Sequence, residues 1–144
     1  MAHALVQNFM HIVFSTKDRL KLIPQEKQAK TWGYLAGICQ QHKLFVHEIG
    51  GMEDHVHMLV QIPPTITIAD AVLKIKAGSS KWMGRRFAWQ RGYGGFSVSK
   101  SNLAMVARYI RNQAAHHRKM NYENEFISLL EKHGVAYDPE DIFR

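Results

Sequence analysis

The sequence holds a single cysteine, Cys39, among its 144 residues. One thiol cannot close a disulfide within the chain or supply a paired-cysteine zinc site, which excludes both a stapled secreted scaffold and a zinc finger. No apolar run approaches the roughly 18 residues that a membrane span requires, so no membrane partner is expected. The first sixteen residues contain no Lys or Arg, and Gln7, Asn8 and His11 interrupt the apolar stretch there. The charged and apolar regions of an export signal are therefore missing, and a reducing cytoplasm is the expected compartment. Internal repeats, low-complexity tracts and a Pro/Gly-rich linker are also lacking. One domain over residues 1–144 is expected, with a core at about 7–133 and a tail at 134–144. Hydrophobic residues at 46% and charged residues at 22% are ordinary globular values.

The most informative shortage is of acids. From Ala71 to Tyr122 there is no Asp or Glu, whereas the same stretch carries eleven cations, and the whole chain has a formal net charge of +7. Lys74, Lys81, Arg85, Arg86, Arg91 and Arg108 are among them, interleaved with Trp82, Phe87, Trp89, Tyr93 and Phe96. Cations neutralise phosphates and aromatic rings stack on unpaired bases, so this mixture points to a nucleic-acid partner. A solvated basic face over ordinary core aromatics is the alternative.

The apolar pattern predicts a strand over Gln7–Ser15 and a helix from Pro24 to about His42. Strands follow over Lys43–Ile49 and Asp54–Ile62, with Gly50-Gly51 read as the turn region between them. Thr67 and Asp70 form a capping-box-like start for a helix to about Gly84. A short strand over Phe96–Ser99, a helix from Ser101 or Asn102 to about His117, and a last helix over Glu123–Lys132 complete the order. This β-α-β-β-α-β succession predicts an α+β fold, the ferredoxin-like split β-α-β antiparallel sheet. Helices would cover one face, with an added C-terminal helix, and the other sheet face would stay available.

Within the third strand, His55 and His57 are two apart and leave the same face, with Leu59 and Gln61, while Val56, Met58, Val60 and Ile62 line the opposite one. Two imidazoles are an incomplete ligand set for a divalent metal; alone they also read as two half-exposed polar residues. On the later helix, Leu103, Val106, Ala107, Ile110 and Ala114 form an apolar stripe. Tyr109 and Gln113 are neighbours one turn apart at its edge. Alone, that pair also reads as a solvated helix border. Trp32 and Trp82 are expected to pack and Trp89 and Tyr93 to contact nucleic acid; His116-His117 could contact phosphate, compete for metal or, as favoured here, place positive charge at the helix end.

Three segments together carry a resemblance. Asp54-His-Val-His-Met-Leu-Val60, Phe87-Ala-Trp-Gln-Arg-Gly-Tyr93 and Arg108-Tyr-Ile-Arg-Asn-Gln113 resemble, in that order, segments of the single-tyrosine HUH transposases of the IS200-like type. That family includes the bacterial enzymes associated with repeated extragenic palindromes. The resemblance spans Gln7 to about His133. It implies a divalent metal, Mg or Mn, held by His55, His57 and Gln113, and a nucleophilic Tyr109 that cuts and rejoins single-stranded DNA at hairpin-marked ends through a 5′-phosphotyrosine. It also implies a bacterial cytoplasmic protein acting as a homodimer, in which the tyrosine acts in cis or, as is frequent in that family, completes the partner's active site in trans. Lys74, Lys81, Arg85, Arg86, Trp89, Arg91, Tyr93 and Arg108 are the expected DNA contacts. A binding protein for single-stranded DNA or RNA hairpins that has lost catalysis is the alternative. Tyrosine has an ordinary pKa of about 10, so near pH 7 forming the phenolate costs about 4 kcal/mol that the site must offset.

Overall fold

The computed structural model describes residues 4–144. Strand β1 (Phe9–Ser15), helix α1 (Gln25–Gln41), strands β2 (Phe45–Met52) and β3 (His55–Gln61), helix α2 (Ile68–Met83) and strand β4 (Gly94–Val98) follow in chain order. Helices α3 (Leu103–Arg111), α4 (Gln113–His116) and α5 (Tyr122–Lys132) come after them. The four strands form one antiparallel sheet in the order β2-β3-β1-β4, which is the expected split β-α-β topology.

Alternation along the two central strands sorts the side chains. Met10, Ile12, Phe14, Val56, Met58 and Val60 point to one face and join Leu35, Ile38, Val72 and Ile75 of α1 and α2 in the larger apolar core. Helix α2 begins as expected: the Thr67 hydroxyl accepts from the Asp70 N–H at 3.0 Å. The second face does not stay open. Val13 and Phe96 pack there against Tyr122, Phe126 and Leu130 of α5, with Ile142 and Phe143 of the tail beside them. An apolar stripe at 122, 126 and 130 needs an apolar surface, and this sheet face supplies it.

Two local expectations are corrected. Gly50 and Gly51 lie inside β2, and the chain reverses at Glu53-Asp54. Gly50 serves closeness: a Cβ there would overlap the carbonyl oxygen of Ile110, so the missing side chain lets α3 press onto the sheet. The helix expected through His117 breaks at Asn112, whose φ of −96° and ψ of 28° are not helical, and Gln113 starts the separate α4.

Candidate functional site

The β-period places His55 and His57 side by side on the second sheet face, both fully buried. Their rings have the same arrangement. His55 Nδ1 is 2.7 Å from Asp54 Oδ1, and His57 Nδ1 is 2.8 Å from Nε2 of His11, its neighbour on β1. With both Nδ1 atoms engaged outward, both Nε2 atoms face a common point. Gln113 Oε1 lies 2.8 Å from His55 Nε2, so the fold brings these two expected site residues together.

A residue absent from the sequence reading occupies the centre. Glu125, at the start of α5, is 2% exposed. Its Oε1 is 3.0 Å from His57 Nε2, 3.4 Å from His55 Nε2 and 3.0 Å from His117 Nε2. Its Oε2 accepts from Gln113 Nε2 at 3.1 Å and from the Tyr109 hydroxyl. The one local signal for it is burial: Glu125 falls beside the Tyr122–Phe126 stripe that α5 buries, where an unpaired carboxylate would be costly. His117 is also part of this cluster, 3.1 Å from Gln113 Oε1, instead of merely ending a helix with charge. His116 lies against the Tyr109 ring, with centroids 4.5 Å apart.

The electrostatics follow from burial and from this one carboxylate. Burial lowers His57 to about 4 and holds His11 well below the ordinary imidazole range, so both are neutral near pH 7. Burial opposes ionisation of Glu125, but hydrogen bonds from His117 and His57 outweigh it and keep the group anionic. His117 is pushed up: burial works against its charge, and the Glu125 carboxylate more than compensates. Tyr109 is pushed well above the ordinary phenol range by burial and then by the Glu125 charge. In this arrangement Tyr109 is a neutral donor to Glu125.

The donor set suits a divalent cation. His55, His57 and Glu125 each offer one ligand atom within 4.8 Å of the others, and the Gln113 amide oxygen adjoins them. If His55 donates its Nδ1–H to Asp54, its Nε2 lone pair faces oxygens of Gln113 and Glu125. Converging lone pairs of this kind are an arrangement that a divalent cation would satisfy. Outward partners on both Nδ1 atoms are also what orients ligating imidazoles.

The structure does not bring all expected contacts to this site. Lys74 and Lys81 are exposed on α2, which covers the opposite sheet face, and Arg85, Arg86, Arg91 and Arg108 are exposed as well. Tyr93 is 38% exposed. Trp89 is corrected: it is buried in the core between Phe14 and Phe87, and its indole N–H donates to Ser79 Oγ at 2.8 Å. Such a ring has no free face for a base. Trp82, expected to pack, is exposed at 38% and stacks on Tyr34 with centroids 4.3 Å apart. Among the described residues no helix is long and apolar enough to cross a membrane.

The chain is similar to known proteins over most of its length. The family profile described as "Transposase IS200 like" matches residues 5–113, which include His55, His57, Tyr109 and Gln113 and stop before α5. The transposases for insertion sequence element IS200 of Salmonella typhimurium and Salmonella typhi are each 30% identical over 125 residues, covering 78% of this chain and 81% of theirs. A Deinococcus radiodurans R1 crystal structure assigned as a transposase shares the fold, with a TM-score of 0.64 and 24% identity over 78% of this chain and 95% of that one. A tyrosine transposase associated with REP elements, solved with a REP hairpin, shares it with a TM-score of 0.63 and 12% identity over 81% and 73% of the two chains. The chain belongs to the IS200-like transposase family, a family of DNA-processing enzymes.

Proposed function

We propose that this chain cuts and rejoins single-stranded DNA at hairpin-marked ends, with Tyr109 as nucleophile and a divalent metal, Mg or Mn, held by His55, His57, Gln113 and Glu125. The observation that carries this reading is contact: the Tyr109 hydroxyl bonds to the same carboxylate that touches His55 and His57. A nucleophile and a metal-ligand set share one atom group, within reach of one phosphate. The hairpin bound by the REP-associated relative supports a hairpin partner here.

The chain's own residues supply most of the steps. Tyr109 Oη attacks the scissile phosphorus, its O–P bond forms as the P–O3′ bond breaks, and the 5′ phosphate remains on the tyrosine. Glu125 Oε2, already the acceptor of the phenol hydrogen, is placed to take the proton. The departing 3′ oxygen takes up a proton to become a free hydroxyl. Attack by a 3′-hydroxyl on the phosphotyrosine reverses these events without an external energy source, because one phosphate ester replaces another. Asp54 and His11 hold the two imidazoles in orientation through their Nδ1 atoms. The cation, when bound, supplies Lewis-acid polarisation of the phosphate and stabilisation of the leaving oxygen.

Tyr109 reaches Glu125 beside its own chain's His55 and His57, and this closeness supports a site assembled in cis. The implied homodimer with sites completed in trans is tested by mixing chains: Tyr109→Phe with His57→Ala restores activity only if sites are shared between subunits. The principal experiment offers single-stranded DNA carrying imperfect hairpins with Mg or Mn to the full chain. A denaturation-resistant protein–DNA adduct is expected from the wild type and none from Tyr109→Phe, which still binds DNA. An adduct that persists in Tyr109→Phe contradicts the assignment.

A further inference from the structure

Tyr109 stands between two cavities. One, of about 460 Å³, lies toward α4 and is lined by His116, His117 and Lys119. The other, of about 370 Å³, lies between β4, α3 and α5 and is lined by Asn102, Met105 and His133. Tyr109, Leu129 and Lys132 line both. The first has the charge to pass a phosphate backbone. The second touches that chemistry only at Tyr109 and His11, and the rest of its lining is of a different kind.

We propose that the second cavity is a nucleobase subsite, which takes an unpaired base next to the phosphate that Tyr109 attacks and selects it by its edge. This rests on the strand-transfer reading of the same site. The His133 imidazole is stacked on Phe96, with centroids 4.5 Å apart and planes 29° apart. Phe96 is buried and His133 is exposed, so one ring face is backed by the protein and the other is free for a base. Met105, 57% exposed on α3, adds an apolar edge. Asn102 sits at the start of α3 but makes no capping bond there, and among the described residues its amide donor and acceptor are uncommitted. An amide of this kind can pair with a base edge through two hydrogen bonds. Lys132 on the shared rim provides positive charge where the adjoining phosphate would pass. The volume falls in the range of small-molecule sites. Cationic rim, flat platform, free amide and continuity with Tyr109 together fit a base of a DNA strand.

The test uses a randomised pool of single-stranded DNA with the full chain and Mn. Covalent adducts are isolated, and the attached 5′ ends and released 3′ ends are sequenced. One base is expected to be enriched about tenfold or more at one of the two positions flanking the cut, falling to about twofold in Asn102→Ala. Unchanged enrichment in both Asn102→Ala and His133→Ala overturns the proposal, as does a wild type with no preference at either position. Binding is measured separately, by titrating Tyr109→Phe into single-stranded DNA carrying 2-aminopurine. Quenching that is lost on adding His133→Ala supports the subsite, and absence of quenching overturns it. If no adduct forms but the quenching is present, the strand-transfer reading fails while the base site stands.

Discussion

On one face of the sheet, Ile12, Phe14, Met58 and Val60 meet the apolar sides of α1 and α2. On the other, the same strands present His55 and His57 to Gln113 and Glu125, with His11 bonded to the far side of His57. The strands are shared, and a shift of one residue in register would exchange the faces. The first face is stabilised by burial of apolar area, about 25 cal/mol per Å². The second takes a carboxylate and several imidazoles out of water, which favours folding only when each finds a partner. The first face therefore carries stability, and the second uses some of that stability to hold chemistry in place.

Truncation on the two faces should separate these roles. Ile12→Ala, in the apolar core, is expected to lose about 2–5 kcal/mol in chemical denaturation with Mn affinity unchanged. A comparable loss of Mn affinity would contradict the separation. Next in size is the pH dependence. His57 is lowered to about 4 in the folded chain by burial, against an ordinary 6.5. The unfolded chain therefore binds the proton first as pH falls. Stability should be intact at pH 6.5 and drop by about 3 kcal/mol by pH 4, with His11 adding in the same direction. His117 is raised, so its contribution is complete below 6.5 and is lost only as pH rises through its folded value. A stability profile flat between pH 6.5 and 4 would contradict the buried neutral imidazoles.

Gly50→Ala sharpens the comparison at the seam between α3 and the sheet. The added methyl would meet the Ile110 backbone, and about 1–3 kcal/mol of stability should be lost as α3 is displaced. Calorimetry showing no change would mean that α3 does not press there. Glu125→Ala should weaken Mn binding about 10- to 100-fold by titration calorimetry while leaving the apolar core intact. Unaltered affinity would leave His55, His57 and Gln113 as the whole ligand set.

How much of this was readable in the sequence depended on distance along the chain. The alternation in β3 placed His55 and His57 on one face, and the Thr67 cap placed the start of α2; both are local properties. Trp89 was misplaced because its packing partner Phe14 lies on β1, far back along the chain, and only the folding of α2 against the sheet sets Ser79 beside its indole N–H. Gly50-Gly51 looked like a turn because the usual reason for paired glycines is a turn, whereas here Gly50 makes room for α3 and Gly51 for the β3 backbone at His55 and Val56. Glu125 was missed for a related cause. It lies 68 residues from His57 in sequence and beyond the matched family segment, and only the docking of α5 brings it in.

The most direct measurement of the central claim is the position of the covalent bond. After incubation with single-stranded DNA and Mn, nuclease trimming and peptide mass spectrometry should find the nucleotide phosphate on the peptide containing Tyr109, with the hydroxyl oxygen of that residue as the attachment point. Tyr122 offers an internal contrast, since its ring stacks on His55 with centroids 4.5 Å apart while its hydroxyl is buried with no partner among the described residues. Modification at Tyr109 alone is the result predicted; modification at Tyr122, or strand cleavage with no modified tyrosine, would contradict the account.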